Sequence, residues 1–206
     1  NHGELSPGKA TGVFCSELSV PYYAFLDAGM EVDVASPAGG LIPIDPQSLK
    51  PVLRCAADDR LLDDQALRAA MATSPSVASL DVSRYDLVYL AGGWGAAFDF
   101  AASEALATAM TEAASLDLVI GGVCHGPLGL AGATAPDGRP LVEGRRVSAV
   151  TDKQVRDEAE DEQQAEHAII PERVGDEVGR PDVGRELLGA RRGSRAHEHA
   201  QRLQPD

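Results

Sequence analysis

Two short apolar runs, each meeting a pair of glycines, constrain the fold of this chain more than any other feature. Asp86–Ala91 (DLVYLA) breaks into Gly92-Gly93, and Leu116–Val123 holds Gly121-Gly122 and ends at Cys124. Apolar runs of this length bounded by turn signals read as strands buried on both faces. Segments of helical period stand around them. Ser16–Ala28 places Leu18, Tyr22, Phe25 and Leu26 on one face. Ser16 or Ser19 is its candidate cap, Pro21 suits its first turn, and Gly29 stops it. Met30–Ala35 alternates apolar and acidic residues as a strand does, and a Pro/Gly-rich loop follows. Asp59–Ala72 and the Ala-rich Phe98–Ala114 read as helices, a further helix begins over Pro127–Gly132, and Val147–Val150 reads as a strand. Apolar strands alternating with helices predict an α/β domain built on a parallel sheet. Chemistry in such sheets sits at the carboxyl ends of the strands.

Charge and length narrow the function classes. The 206 residues suffice for one α/β domain with a tail, and they carry a formal net charge of -14. Such acidity repels phosphate backbones and anionic lipid, so neither a nucleic acid nor a membrane is an expected partner. No run approaches the roughly 18 apolar residues of a membrane span, and no basic stretch followed by an apolar run opens the chain as a signal peptide would. The first residue is not Met, so a fragment is expected. Three cysteines, none in C-x-x-C spacing, suggest neither a disulfide scaffold nor a zinc site and place the chain in a reducing cytoplasm. The Gly-Gly-Trp-Gly turn does not satisfy G-x-G-x-x-G, and no G-K-[ST] follows it, so no dinucleotide or P-loop nucleotide is expected.

The chain is not uniform. All nine aromatic residues lie before position 101, while the 56 residues from Thr151 onward hold 23 charged side chains and only nine large aliphatic ones. That is too little apolar surface for a self-supporting core. The expected division is an α/β domain over residues 1–155 and a charged, weakly packed or disordered tail over 156–206.

Leu118–Pro127 (LVIGGVCHGP) carries the chemistry: an apolar strand runs through two glycines into a cysteine that a helix follows. This is the layout of a nucleophile elbow with Cys in place of Ser. It predicts strained backbone dihedrals at Cys124. A helix N-terminus there would lower the pKa of the thiol. The plainer reading is an inert cysteine in a Gly-rich bend. His125 reads as a base, a supporting residue or a packing residue. The Gly92-Gly93 turn is either a simple turn or a source of oxyanion-binding N–H groups, and Glu17 by position is a carboxylate at a helix N-terminus.

Cys124-His125-Gly126-Pro127 after an apolar strand resembles the nucleophile motif of the ThiJ/PfpI superfamily, relatives of the class I glutamine amidotransferases. Thr11–Leu18 (TGVFCSEL), Pro21–Gly29 (PYYAFLDAG), Glu31–Gly40 (EVDVASPAGG), Asp86–Gly95 and Asp137–Thr151 resemble its glyoxalase and chaperone subgroup, in order. The resemblance implies a flavodoxin-like three-layer sandwich with a mostly parallel sheet, usually a homodimer. It implies cofactor-free, metal-free conversion of methylglyoxal and similar 2-oxoaldehydes to 2-hydroxy acids, a glyoxalase III or D-lactate dehydratase activity. Cys124, His125 and Glu17 would be catalytic, Gly93 and His125 would bind the oxyanion, and Trp94 and Gly95 would line the substrate pocket. The alternatives are a stress-response holding chaperone, a redox sensor without turnover, a hydrolase or peptidase, or an inactive truncated member. Three features depart from the family pattern. Trp94 stands where the subgroup has His. A first apolar strand is missing before Asn1, which would leave two neighbouring strands with unpaired backbone groups. Nothing beyond Arg156 matches the closing elements, so no third triad acid is assigned.

Overall fold

The computed structural model describes residues 1–151 and residue 154. The chain opens with a small antiparallel hairpin, β1 (Glu4–Ser6) and β2 (Lys9–Ala10), turned at Gly8. Helix α1 (Cys15–Asp27) follows. Its N-cap is Phe14, whose side chain caps nothing, so neither candidate serine caps it. Ser19 lies a turn inside and donates from Oγ to the buried Asp58 carboxylate at 2.7 Å. Pro21 sits in the helix interior rather than in its first turn. Having no N–H, it leaves the Glu17 carbonyl without its helical donor. The helix stops where expected, with the Gly29 N–H closing onto Leu26 O.

The single helix expected over Asp59–Ala72 is two, α2 (Ala56–Asp63) and α3 (Gln65–Ala72). Asp64 separates them because its carboxylate accepts the Leu67 N–H as the cap of α3 and also the Tyr23 hydroxyl. The helix expected over Phe98–Ala114 is likewise split into α4 (Trp94–Asp99) and α5 (Glu104–Ser115), the latter capped by Ser103. The strands β3 (Leu87–Leu90) and β4 (Val119–Gly122) pair in parallel, with Leu87 opposite Val119 and Leu90 opposite Gly122. After β4 the expected α-helix is a five-residue 3-10 turn, Gly126–Leu130. Val147–Val150 is not a strand, although the Val150 N–H bonds the Cys124 carbonyl.

Helices cover both faces of the β3–β4 pair. Tyr89 points toward α1, where its ring meets Phe25 at 6.1 Å, while Leu90 packs with Leu106, Ala109 and Met110 of α5. A second apolar cluster joins Cys15 and Tyr23 of α1 to Leu61, Leu67 and Met71 of α2 and α3. This is the flavodoxin-like α/β layering that the sequence implies. Met30–Ala35 is the exception: the expected strand has no ladder partner, and only Ser36 at its end forms a bridge, to Ser76. Between it and β3 lies a cavity of about 670 Å³. The expectation of a weakly packed tail over 156–206 falls outside the described residues, as do His167, His197 and His199. No helix among the described residues is long and apolar enough to cross a membrane.

Candidate active site

The elbow forms as the sequence predicts. Strand β4 ends at Gly122, and Cys124 turns the chain with a φ of 55°, one of two non-glycine residues at positive φ among those described. A side chain held in that region costs of order 1–3 kcal/mol and persists only where the surroundings impose it. Two such constraints are visible. The Val123 N–H is tied to Leu90 O, and the Gly126 N–H closes back onto Val123 O at 2.7 Å. The sulfur is thereby lifted out of the sheet at the carboxyl end of β4.

Three elements converge on that sulfur. Nδ1 of His125 lies 3.2 Å from Sγ. The carboxyl of Glu17, from the first turn of α1, lies against Sγ and takes a stabilising contact from the Gly92 N–H. The N–H groups of Gly93 and His125 point at Sγ and favour its charged form. Gly93 adopts a φ of 99°, and a side chain there would collide with the Val13–Phe14 backbone, so glycine is required to bring this N–H so close. The structure therefore brings together Cys124, His125, Glu17 and Gly93. The indole of Trp94 packs on the His125 ring at 4.9 Å, tilted by 37°. Gly95 instead sits on the Gly12 carbonyl, to which its N–H bonds at 3.0 Å, and lines the large cavity rather than the sulfur.

The electrostatics correct one expectation. The Cys124 thiol is not acidified: burial and the Glu17 carboxylate push it up to about 11, outweighing the two N–H groups. A five-residue 3-10 turn has little dipole with which to oppose them. Burial also raises Glu17 above the ordinary carboxylate range. Cysteine and carboxyl thus share one proton, resting on sulfur and poised for Glu17. His125 is only 5% exposed, and burial pushes it down to about 4, so the imidazole is neutral near pH 7. Two buried polar atoms here have no hydrogen-bond partner, Oε2 of Glu17 and Nε2 of His125. Buried polar groups left unpaired are rare and costly, and at a cleft they are the atoms a substrate or water would meet.

Cys15 and Cys55 are free thiols of another kind. Cys15 is fully buried, and burial with the Asp58 carboxylate pushes it up to about 12. Among the described residues no cluster of His, Cys, Asp and Glu is arranged to hold a metal ion. Sequence reasoning missed the Gly92 N–H contact to Glu17, although the Gly-Gly pair signalled backbone crowding there. It also missed Val150, for which the sequence offers no signal.

Two measurements check these charges. Iodoacetamide labelling of Cys124 should rise about tenfold per pH unit from 7 to 9 without levelling, because only thiolate reacts and its pKa lies above that range. Glu17→Gln removes the negative neighbour and should move the profile to lower pH, with about tenfold more thiolate for each unit of pKa released. Levelling near pH 8.5 in the unsubstituted protein would contradict this account. For His125, the unfolded imidazole takes its proton near 6.5 and the folded one near 4. Between those values the unfolded state holds more protons, so stability falls with falling pH and is flat above that window. Glu17, raised when folded, works in the opposite direction and softens the fall. Urea denaturation at pH 7 and pH 4.5 should show an extra loss of about 2–3 kcal/mol that His125→Asn removes.

Relatives place this site in context. Glyoxalase 3 of Candida albicans is 29% identical over 155 residues, covering 74% of this chain and 65% of its own length. A glutathione-independent glyoxalase of Schizosaccharomyces pombe is 31% identical over 157 residues, covering 72% and 63%. The chain thus spans just under two thirds of these relatives. The crystal structure of glyoxalase III from Candida albicans aligns over 80% of this chain and 71% of its own, with a TM-score of 0.69 and 27% identity. Rapid Encystment Protein 24 KDa of Francisella tularensis aligns over 80% and 72%, with a TM-score of 0.71 and 27% identity. The DJ-1/PfpI family model matches residues 10–168, most of the sequence that carries the elbow and its neighbours, and the chain belongs to the DJ-1/PfpI family.

Proposed function

We propose that this protein converts methylglyoxal and similar 2-oxoaldehydes to 2-hydroxy acids, without glutathione or another cofactor. The observation that carries the reading is the positive-φ elbow, which sets the Cys124 sulfur among a carboxyl, a neutral imidazole and two backbone N–H groups. That set fits nucleophilic addition to a small carbonyl. The names of the glyoxalase relatives supply the substrate class.

As the Cys124 proton passes to Glu17, sulfur adds to the aldehyde carbon C1 and the C=O electron pair becomes an oxyanion. The Gly93 and His125 N–H groups, which contact the thiolate before attack, pass to the adjacent oxyanion and stabilise it. Neutral His125, with Nε2 free, removes the C1 proton to give an enediol and returns a proton to C2. The product is a thioester of a 2-hydroxy acid. Water cleaves it, releasing lactate from methylglyoxal and restoring the thiol. Trp94 closes one side of the imidazole, keeping water from the base and limiting the site to small substrates.

The test is loss of methylglyoxal in buffer free of glutathione and other thiols. The proposal expects protein-dependent consumption that iodoacetamide on Cys124 abolishes. Consumption at the buffer rate, or consumption that survives full alkylation of Cys124, would reject it.

A further inference from the structure

Two of the three thiols take no part in the Cys124 site, and they meet at a place of their own. Cys15 opens α1 and is fully buried, while Cys55 is the N-cap of α2 and partly exposed. Between them lies Asp58, in the first turn of α2, with no exposed surface. Its carboxylate accepts the Cys55 N–H at 2.8 Å and the Ser19 hydroxyl at 2.7 Å. It also takes both thiols, of Cys15 and of Cys55, as donors. Burial alone would raise the Asp58 carboxyl, but these four donors hold it below the ordinary carboxylate range.

A buried charge needs strong donors, and thiols are weak ones. Serine at both positions would hold this carboxylate better. Two sulfurs on one buried carboxylate therefore point to another use, which for cysteine is usually its reactivity. Among the described residues no group of His, Cys, Asp and Glu is arranged to hold a metal ion, so the pair does not read as metal ligands. Reaction with each other remains. The sulfurs share one acceptor, the charge of Cys55 acts on Cys15, and Cys15 packs into the apolar cluster that joins α1 to α2. Their exposures give them different parts. Only Cys55 is open to a reagent from solvent. Cys15, pushed up to about 12 by burial and by Asp58, keeps its proton until a reactive sulfur is set beside it.

We propose that Cys15 and Cys55 are a dithiol–disulfide pair that exchanges with low-molecular-weight disulfides of the glutathione kind and, when oxidised, fastens the helix carrying Glu17 to α2. Cys55 acts first. Its thiolate attacks one sulfur of the small disulfide, the S–S bond breaks, one small thiolate leaves, and a mixed disulfide stands on Cys55. The Cys15 sulfur then attacks Cys55 Sγ, and its proton passes by way of Asp58 to the second departing thiolate. The two cysteines lose two electrons and two protons, and one small disulfide becomes two small thiols. Asp58 ends unchanged, still holding the Cys55 N–H and the Ser19 hydroxyl. The new bond closes a loop of about forty residues and restricts the unfolded chain, so the oxidised form should resist urea better.

The probe is glutathione disulfide, added to the native full chain and followed by alkylation of the remaining thiols and tryptic mapping. Trypsin separates the two cysteines at Arg54, into peptides 10–54 and 55–60. The proposal expects these peptides joined, two hydrogens lighter than the pair of thiols, and parted again by dithiothreitol. Cys15→Ser should stop at a glutathione adduct on Cys55, and Cys55→Ser should leave Cys15 unmodified. The joined pair should need at least tenfold less glutathione disulfide, relative to glutathione, in the native state than in concentrated urea, since the fold holds the two thiols together. A lasting glutathione adduct on Cys55 of the unsubstituted chain, no reaction at either cysteine, or an equal requirement in urea would overturn the proposal. No aldehyde enters the experiment, so its outcome is independent of the glyoxalase reading.

Discussion

Replacing Cys124 by Ser should lower kcat/KM for methylglyoxal by about a thousandfold or more, the scale seen when a covalent nucleophile is removed from a coupled set of groups. Serine keeps the shape of the elbow but offers an oxygen whose proton Glu17 cannot readily take. The loss should appear mainly in kcat, because the small aldehyde gains little binding from the sulfur before the bond forms. The substitution should leave the urea midpoint almost unchanged, since the polar partners of the sulfur all belong to the site itself. A tenfold or smaller loss would mean that sulfur is not the attacking atom.

The second large effect is structural. Gly126→Ala should destabilise the fold by about 3–5 kcal/mol, a size reserved for substitutions with a named steric cause. The cause here is the Leu90 carbonyl: a Cβ on Gly126 would press on its oxygen and stand 2.8 Å from its carbon. Both groups are fixed backbone, one in the elbow and one at the end of β3, so neither can rotate away. The Leu90 carbonyl also accepts the Val123 N–H, and displacing it would loosen the turn that holds Cys124. Urea unfolding with a loss below about 1 kcal/mol would show that the elbow yields more easily than its contacts imply.

What the sequence showed and what it hid divide along a physical line. Helix α1, strands β3 and β4 and the strained elbow were legible because their signals are local: apolar period, a stop at Gly29, and glycines flanking Cys124. The breaks at Asp64 and Ser103 were also local, as capping side chains before new first turns, but the apolar period ran across both and masked them. Met30–Ala35 has the alternation of a strand and no ladder, since pairing depends on a neighbour and not on the segment. The sign of the Cys124 shift was misjudged for the same reason. Its strand and turn are local, but burial and the charge of Glu17, more than a hundred residues away in sequence, decide the balance. The Trp94–His125 contact could not be read from either motif alone.

The most direct test of the central claim, that Cys124, Glu17 and His125 together isomerise and hydrate a 2-oxoaldehyde, is proton NMR of methylglyoxal in D2O with the purified protein and no added thiol. The account predicts that methylglyoxal signals give way to lactate, with deuterium entering at C2 because the base exchanges its proton with solvent, and that Cys124→Ser protein forms none above the buffer blank. Lactate at the blank rate, or equal lactate from the Cys124→Ser protein, would contradict it.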